Sequence, residues 1–328
     1  MELYMSKVAL VTGETGLLGT ALVEHLEEKD DNVRGLSSSL DLLDPDAIFW
    51  FFTDGIKDGT ISPGASSVYH LAARVGGIQA NNNGLATFFD DNIRMNVEFL
   101  KACQEFGVKR LISVMSSCVY PEERFVTYPL TEDQLHLGPP HDSNFGYAYA
   151  KRMLDVQTQA YRAQHGVDYV TVIPNNLFGE HDNFHLEDGH VLPALIRKVW
   201  EAKLSDSPNI VVWGDGTPLR EFTYAKDAAK ILRVVEEEYH YEYPLNIGCT
   251  EERSIGEIAR LVCEYLEYDG TILFNASKPN GQRRKPTSNE SLLSLTSWKE
   301  SDYTPFEVAL KNTCEWFVQN YPAVRGVK

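Results

Sequence analysis

Residues 8–20, VALVTGETGLLGT, leave a chain few ways to fold. Val8 to Val11 reads as a buried strand, and from Leu17 to Glu28 the residues Leu17, Leu18, Ala21, Leu22 and Leu26 recur at helical spacing. Between them Gly13, Gly16 and Gly19 form G-x-x-G-x-x-G. A strand that turns through glycines into a helix is the opening unit of a parallel sheet with crossover helices. The glycines allow a tight turn and let a diphosphate approach the backbone N–H groups at the helix start. An ordinary glycine turn is the alternative, and the strand–turn–helix context favours dinucleotide binding.

The first half of the chain repeats this alternation. Strands are predicted at Val33–Leu36, Ser67–His70, Arg110–Val114 and Tyr169–Ile173, with helices near Ile93–Phe106 and Tyr147–His165. The pattern predicts an α/β fold, a doubly wound parallel Rossmann sheet. Beyond Pro174 the segment NNLFGEHDNFHLEDGH is polar and irregular and reads as a functional loop. A helix at Val191–Lys203 and a strand at Ile210–Trp213 follow, then a mixture of helices and turns. The expected division is a dinucleotide-binding domain over residues 1–178, to which the chain returns around 214–245, and a smaller mixed α/β C-terminal substrate domain over 179–328.

Charge narrows the ligands. Thirty basic against forty-seven acidic residues give a net charge of -17, which repels nucleic acid and obliges any anionic ligand to find local cations. Cys103, Cys118, Cys249, Cys263 and Cys314 are scattered without C-x-x-C spacing, unlike a disulfide framework or zinc site, so a reducing compartment is expected. No apolar run is long enough to span a membrane and no export signal opens the chain, so the expectation is a cytoplasmic protein with no membrane partner. His181, Asp182 and His185 resemble a metal cluster in composition only, and no metal is expected.

Chemistry enters at three places. The second strand ends in Leu36, Ser37, Ser38 and Ser39, where an NAD enzyme usually carries an acid for the ribose 2'-hydroxyl, so NADP is preferred. Arg34 either adds a cation there or is an exposed strand residue, and Asp41 either accepts from the adenine amino group or caps the next helix. Tyr147 and Lys151 stand one helical turn apart, a spacing that lets a lysine cation favour the phenolate and suits carbonyl reduction. Ser116 and Ser117 follow the fourth strand, where a hydroxyl can polarise the same carbonyl.

These residues resemble the extended short-chain dehydrogenase/reductase family. The glycine loop, HLAA at His70–Ala73, the serine after strand four, and Tyr147 with Lys151 carry the likeness. More specific stretches are RVGGI (74–78), SSCVYP (116–121), NFGYAYAKRM (144–153), PNNLFGEHDNFHLEDGHVLP (174–193) and VWGDGTPLREF (212–222). They resemble the members that act on GDP-4-keto-6-deoxy-D-mannose as 3,5-epimerases and NADPH-dependent 4-reductases, commonly homodimers.

The resemblance implies catalytic Ser116, Tyr147 and Lys151 for reduction, with Cys118 and His190 as the epimerisation pair. It implies NADP contacts at Gly13, Thr15, Gly16, Leu17, Gly19, Ser37, Ser38, Asp41, Leu71, Ala72, Tyr147, Lys151, Pro174, Leu177 and His190. The GDP-sugar falls to Asn176, Lys198, Trp213, Arg220 and Lys285, the last within the basic run Arg283–Lys285. Thr15 is basic in some members, and here it is neutral beside the acidic Glu14. Two other readings stay open: another NAD(P)-dependent sugar-nucleotide epimerase, dehydratase or reductase, or a non-catalytic NADP-binding regulatory subunit. Reduction alone needs neither Cys118 nor His190, and a regulatory subunit needs no intact Ser116, Tyr147 and Lys151.

Overall fold

The computed structural model describes residues 8–29, 31–36, 40–62, 64, 66–277 and 282–327. The first strand, β1 (Val8–Thr12), leads into α1 (Leu17–Glu27), β2 (Asn32–Gly35), α2 (Pro45–Lys57) and β3 (Ser67–His70). A short α3 (Ile78–Asn83) and two long helices, α4 (Leu85–Glu105) and α5 (Phe145–His165), flank β4 (Arg110–Val114), and β5 (Asp168–Ile173) follows. Next come β6 (Asn176–Phe178), α6 (Val191–Leu204), β7 (Asn209–Trp213), β8 (Leu219–Tyr224), α7 (Ala225–Glu238) and β9 (Leu245–Asn246). The chain closes with β10 (Glu252–Ser254), α8 (Ile255–Tyr265), β11 (Thr271–Asn275), α9 (Glu290–Leu295) and α10 (Phe306–Asn320).

The main sheet has the order β2-β1-β3-β4-β5-β9, and every pairing in it is parallel. Strand order reverses between β1 and β3, which opens a crevice at the carboxyl ends of those strands. Both faces are covered, so β1, β3 and β4 are buried along their whole length. On one face α2, α4 and α5 pack Phe52, Phe99, Leu100 and Leu154 against the sheet. On the other, α1 and α7 contribute Leu22, Leu26, Ile231, Leu232 and Val235.

Helix ends follow local chemistry. Asp44 accepts from Asp46 N (3.0 Å) and Ala47 N (3.3 Å), with Pro45 in the first turn, so α2 begins there. Asp41 accepts from Leu43 N (2.9 Å) and is therefore not the cap of this helix. α4 starts eight residues before the predicted Ile93, because Phe88 and Asn92 already bury themselves in its first turns.

A second layer holds its own core around α6, α8 and α10, with Ile196, Val199, Ile258, Val262, Leu310 and Phe317 buried. Its strands form a three-stranded sheet, β10-β8-β6, and a parallel pair, β11-β7. β6 lies within the segment predicted as irregular loop. Its partner β8 is about forty residues away, pairing Asn176 with Phe222 and Phe178 with Tyr224, so local periodicity carried no trace of it. Among the described residues no helix is long and apolar enough to cross a membrane.

Candidate active site

The crevice at the ends of β1 and β3 is lined by the glycine loop. Gly13 has φ +74°, and a Cβ there would meet Ala72 N at 2.9 Å. A Cβ on Gly19 would lie 2.0 Å from Gly13 O, so the helix passes against the turn only with glycine at that position. Gly16 is the N-cap of α1 and offers no side chain to its first N–H groups. Leu17 follows it in the first turn, and Thr15 stands exposed beside it. Such a cradle of bare amides fits the diphosphate of NADP.

Behind the crevice, a buried relay fixes the floor. Thr12 Oγ1 accepts from Leu71 N and Ala72 N (3.1 Å each) and meets His70 Nδ1 at 3.0 Å. His70 Nε2 meets Asn96 Oδ1 (3.1 Å), and Asn96 Nδ2 donates to Ala150 O on α5 (3.3 Å). Burial, aided by Lys151, lowers the His70 pKa to about 3, so the ring is neutral and its tautomer follows from these partners. Ser37 and Ser38 lie outside the described residues.

Tyr147 and Lys151 sit on the buried stripe of α5, with Ala150, Leu154 and Asp155. Ser116, after β4, accepts from Cys118 N through Oγ (3.3 Å), and its hydroxyl lies near enough to the Tyr147 hydroxyl to perturb it. Burial, with Cys118 beside it, raises the Tyr147 pKa, and only Ser116 opposes this. Lys151, 1% exposed, donates to Val114 O (2.8 Å), and burial lowers its pKa to about 7. Lys151 is not among the groups that shift the Tyr147 phenol, and its Nζ is turned to a backbone carbonyl. Ser117 N donates to Pro174 O (3.0 Å), which joins this loop to the end of β5.

Cys118 is a free, half-buried thiol. Burial lowers the Lys285 pKa, with Cys118 nearby opposing the shift and Arg220 and Arg152 adding to it. Arg152 holds the loop behind Cys118 by donating from Nε to Val119 O (2.9 Å) and from Nη1 to Gly138 O (2.8 Å). Tyr147, Ser116, Cys118, Lys285 and Arg220 thus lie within electrostatic reach of one another. Sequence reading assigned Lys285 to substrate and missed its place beside Cys118, because 167 positions separate them.

Lys285 rides on a strap between the two layers. Leu219 N donates to Arg283 O (2.9 Å), Leu130 N to Pro286 O (2.8 Å) and Ser288 N to Leu130 O (2.9 Å). Glu221 anchors it from below, accepting from Thr287 N (2.9 Å) and Thr287 Oγ1 (2.6 Å). Burial raises the Glu221 pKa to about 7 against these bonds. Arg284 pairs with Glu252, while Lys285 is electrostatically coupled to Cys118. Asn176 Nδ2 donates to Glu221 O (2.7 Å), and Leu177 follows it in β6. Lys198 Nζ donates to Val211 O (2.7 Å), and Trp213, at the end of the same strand β7, is exposed.

His190 is the N-cap residue of α6 and makes no side-chain cap bond. Its loop is docked on the β3 side of the crevice, where Gly77 N donates to Asp188 O (2.9 Å). Residues 324–327 support the loop's other side: Phe184 N donates to Arg325 O (3.0 Å) and Arg197 Nη1 to Gly326 O (2.7 Å). His190 is exposed to solvent, but the atoms packed around it and the Arg325 cation lower its pKa, so the ring is largely neutral near pH 7. His181 lies tilted against the Trp316 ring and reaches Glu24 at 3.8 Å, and among the described residues no His, Cys, Asp or Glu group is arranged to hold a metal.

A family model described as the NAD dependent epimerase/dehydratase family matches residues 9–248. The chain is 39% identical to a GDP-L-fucose synthase of Dictyostelium discoideum, over 99% of each protein. It is 35% identical to a GDP-L-fucose synthase of Sinorhizobium fredii, over 98% of each. Among solved structures, a GDP-L-fucose synthetase from Naegleria fowleri bound to NADP superposes with a TM-score of 0.87 at 38% identity, covering 99% of this chain and 98% of that one.

Proposed function

Because the chain belongs to the NAD dependent epimerase/dehydratase family, and is similar over nearly its whole length to GDP-L-fucose synthases, we propose that it converts GDP-4-keto-6-deoxy-D-mannose to GDP-L-fucose with NADPH. The observation that carries this reading is the clustering of Tyr147, Ser116 and Cys118, with Ser116 Oγ bonded to the Cys118 backbone and both residues close enough to perturb the Tyr147 phenol. It sets a hydroxyl pair for a carbonyl oxygen beside a thiol able to work on the neighbouring carbons.

The C4 ketone acidifies the protons on C3 and C5, and inversion at each needs a base on one face and an acid on the other. Cys118 Sγ takes the proton and His190 returns one. Lys285, electrostatically coupled to Cys118, sets a cation near the sulfur and the carbon it deprotonates. Ser116 and Tyr147 hydrogen-bond the C4 oxygen and hold the negative charge that develops there. NADPH, when bound on the glycine cradle, supplies the hydride for C4. Tyr147 then gives its proton to that same oxygen, while Lys151 fixes the helix turn against β4. Arg220, Lys198 and Trp213 take the GDP portion, with Asn176 toward the sugar.

We assign the first layer to cofactor, including the return through α7 and β9, and the second to the GDP-sugar. A homodimer fits the surface of α4 and α5, where Phe89, Val97, Phe145 and Val156 are 38%, 40%, 44% and 46% exposed. Light scattering at micromolar concentration should give twice the 37.0 kDa chain mass. The five free cysteines suit the reducing cytosol.

Incubation with GDP-4-keto-6-deoxy-D-mannose and NADPH, followed by product identification, tests the whole reading. A GDP-6-deoxyhexose that keeps the starting configuration at C3 and C5 would reduce the assignment to a simple 4-reductase.

A further inference from the structure

Position 35, the last residue of β2, is glycine, and the reason lies across the crevice. A Cβ built on Gly35 would lie 2.4 Å from Glu14 Cγ, 2.8 Å from Cδ and 3.1 Å from Oε1. Glu14 therefore lays its side chain across the end of β2, with its carboxyl group at the α-carbon of Gly35. Its backbone is set by the tight glycine turn and by Thr20 Oγ1, which donates to Glu14 O (3.1 Å). In a dinucleotide fold the end of β2 is where an acid accepts from the ribose 2'-hydroxyl, or where a cation takes a 2'-phosphate. β2 itself ends without an acid, and its one basic side chain is turned elsewhere. Arg34 lies over the Phe51 ring at 4.7 Å, and its Nη1 donates to Thr60 Oγ1 (2.5 Å) on the α2 side.

We infer that Glu14 is a cofactor-specificity residue: its carboxylate takes the place of the missing β2 acid, accepts from a ribose 2'-hydroxyl and opposes a 2'-phosphate, so that the protein accepts NADH alongside NADPH. The inference rests on the dinucleotide reading of the crevice and adds to it a second cofactor. A carboxylate that accepts from the hydroxyl favours NADH, and the same charge disfavours the doubly charged 2'-phosphate. Each effect belongs to charge-assisted hydrogen bonding, and together they are worth about tenfold to a hundredfold in relative affinity.

The test is direct binding of the two cofactors to the whole chain without sugar nucleotide, read as enhancement of bound nicotinamide fluorescence. Wild type, Glu14→Gln and Glu14→Ala are each titrated with NADPH and with NADH, and circular dichroism checks that the variants are folded. Two variants are used because one alone could disturb the glycine turn. The expected result is measurable NADH binding by wild type and a shift of the affinity ratio toward NADPH by about tenfold or more in both variants. A ratio that stays within about threefold of wild type, or that moves toward NADH, overturns the role of Glu14. Failure of wild type to bind either nucleotide would instead overturn the dinucleotide reading of the crevice.

Discussion

Lys151 provides a quantitative test of how the buried pair is held. Its ammonium is 1% exposed, and its pKa falls from 10.5 to about 7 through burial alone. In the unfolded chain the group binds its proton up to about pH 10.4, so between the two values the unfolded state carries more protons and stability rises with pH. Below about pH 7 the penalty is complete, and at about 1.36 kcal/mol per pKa unit it amounts to about 5 kcal/mol. Replacement by methionine keeps most of the volume and removes the charge. It also deprives Val114 O of its donor, a loss of about 1–2 kcal/mol. Lys151→Met is therefore expected to be more stable than wild type by about 3 kcal/mol at pH 7, and by about nothing near pH 9.5, while losing reduction. Urea unfolding of the cofactor-free protein at both pH values, followed by tryptophan fluorescence, reads this. Equal stability at pH 7, or a difference that fails to shrink as pH rises, would show that the environment of Lys151 solvates its charge.

Tyr147→Phe removes one hydroxyl from a packed ring, so reduction should fall by about 10² to 10⁴ while exchange of solvent deuterium into C3 and C5 continues; near-normal reduction would remove Tyr147 from the mechanism. Cys118→Ser keeps the shape but not the base, and His190→Asn removes the returning proton, so both should slow that exchange, measured by mass spectrometry without NADPH. Wild-type exchange in both would leave this cysteine and histidine structural. In Gly19→Ala the new methyl would meet Gly13 O at 2.0 Å, so cofactor affinity should drop by at least about tenfold, together with Tm; calorimetric titration showing unchanged NADPH binding would mean the turn can yield.

The first layer was readable because its information is local. Residues 67–70 and 110–114 are short apolar runs between turns, and the structure places strands over the same residues. The glycines and the Tyr147–Lys151 spacing carry their meaning within a few residues of chain. What escaped was set by distant partners. β6 exists because β8 lies beside it, α4 extends because Phe88 and Asn92 find cover, and Lys285 comes near Cys118 because a strap crosses between layers. Glu14 was visible as an acid in the glycine loop, yet only the fold shows it lying over Gly35. The orientation of Lys151 toward Val114 O was beyond any spacing rule, since it depends on which acceptor the end of β4 presents.

The return of the chain to the main sheet has a consequence for how the molecule comes to exist. β9 pairs with β5 through Val172–Leu245 and Ile173–Asn246, and α7 lays Ile231, Leu232 and Val235 over Val170 and Val172. About fifty residues, most of them in the second layer, are threaded between β5 and the start of α7. During synthesis the first 178 residues leave the ribosome with one side of the sheet half bare and with β5 as an open edge, the kind of surface that recruits other strands. The first layer is completed only when β9 and α7 return to it, so a cut after residue 178 should yield an aggregating fragment rather than a working cofactor module.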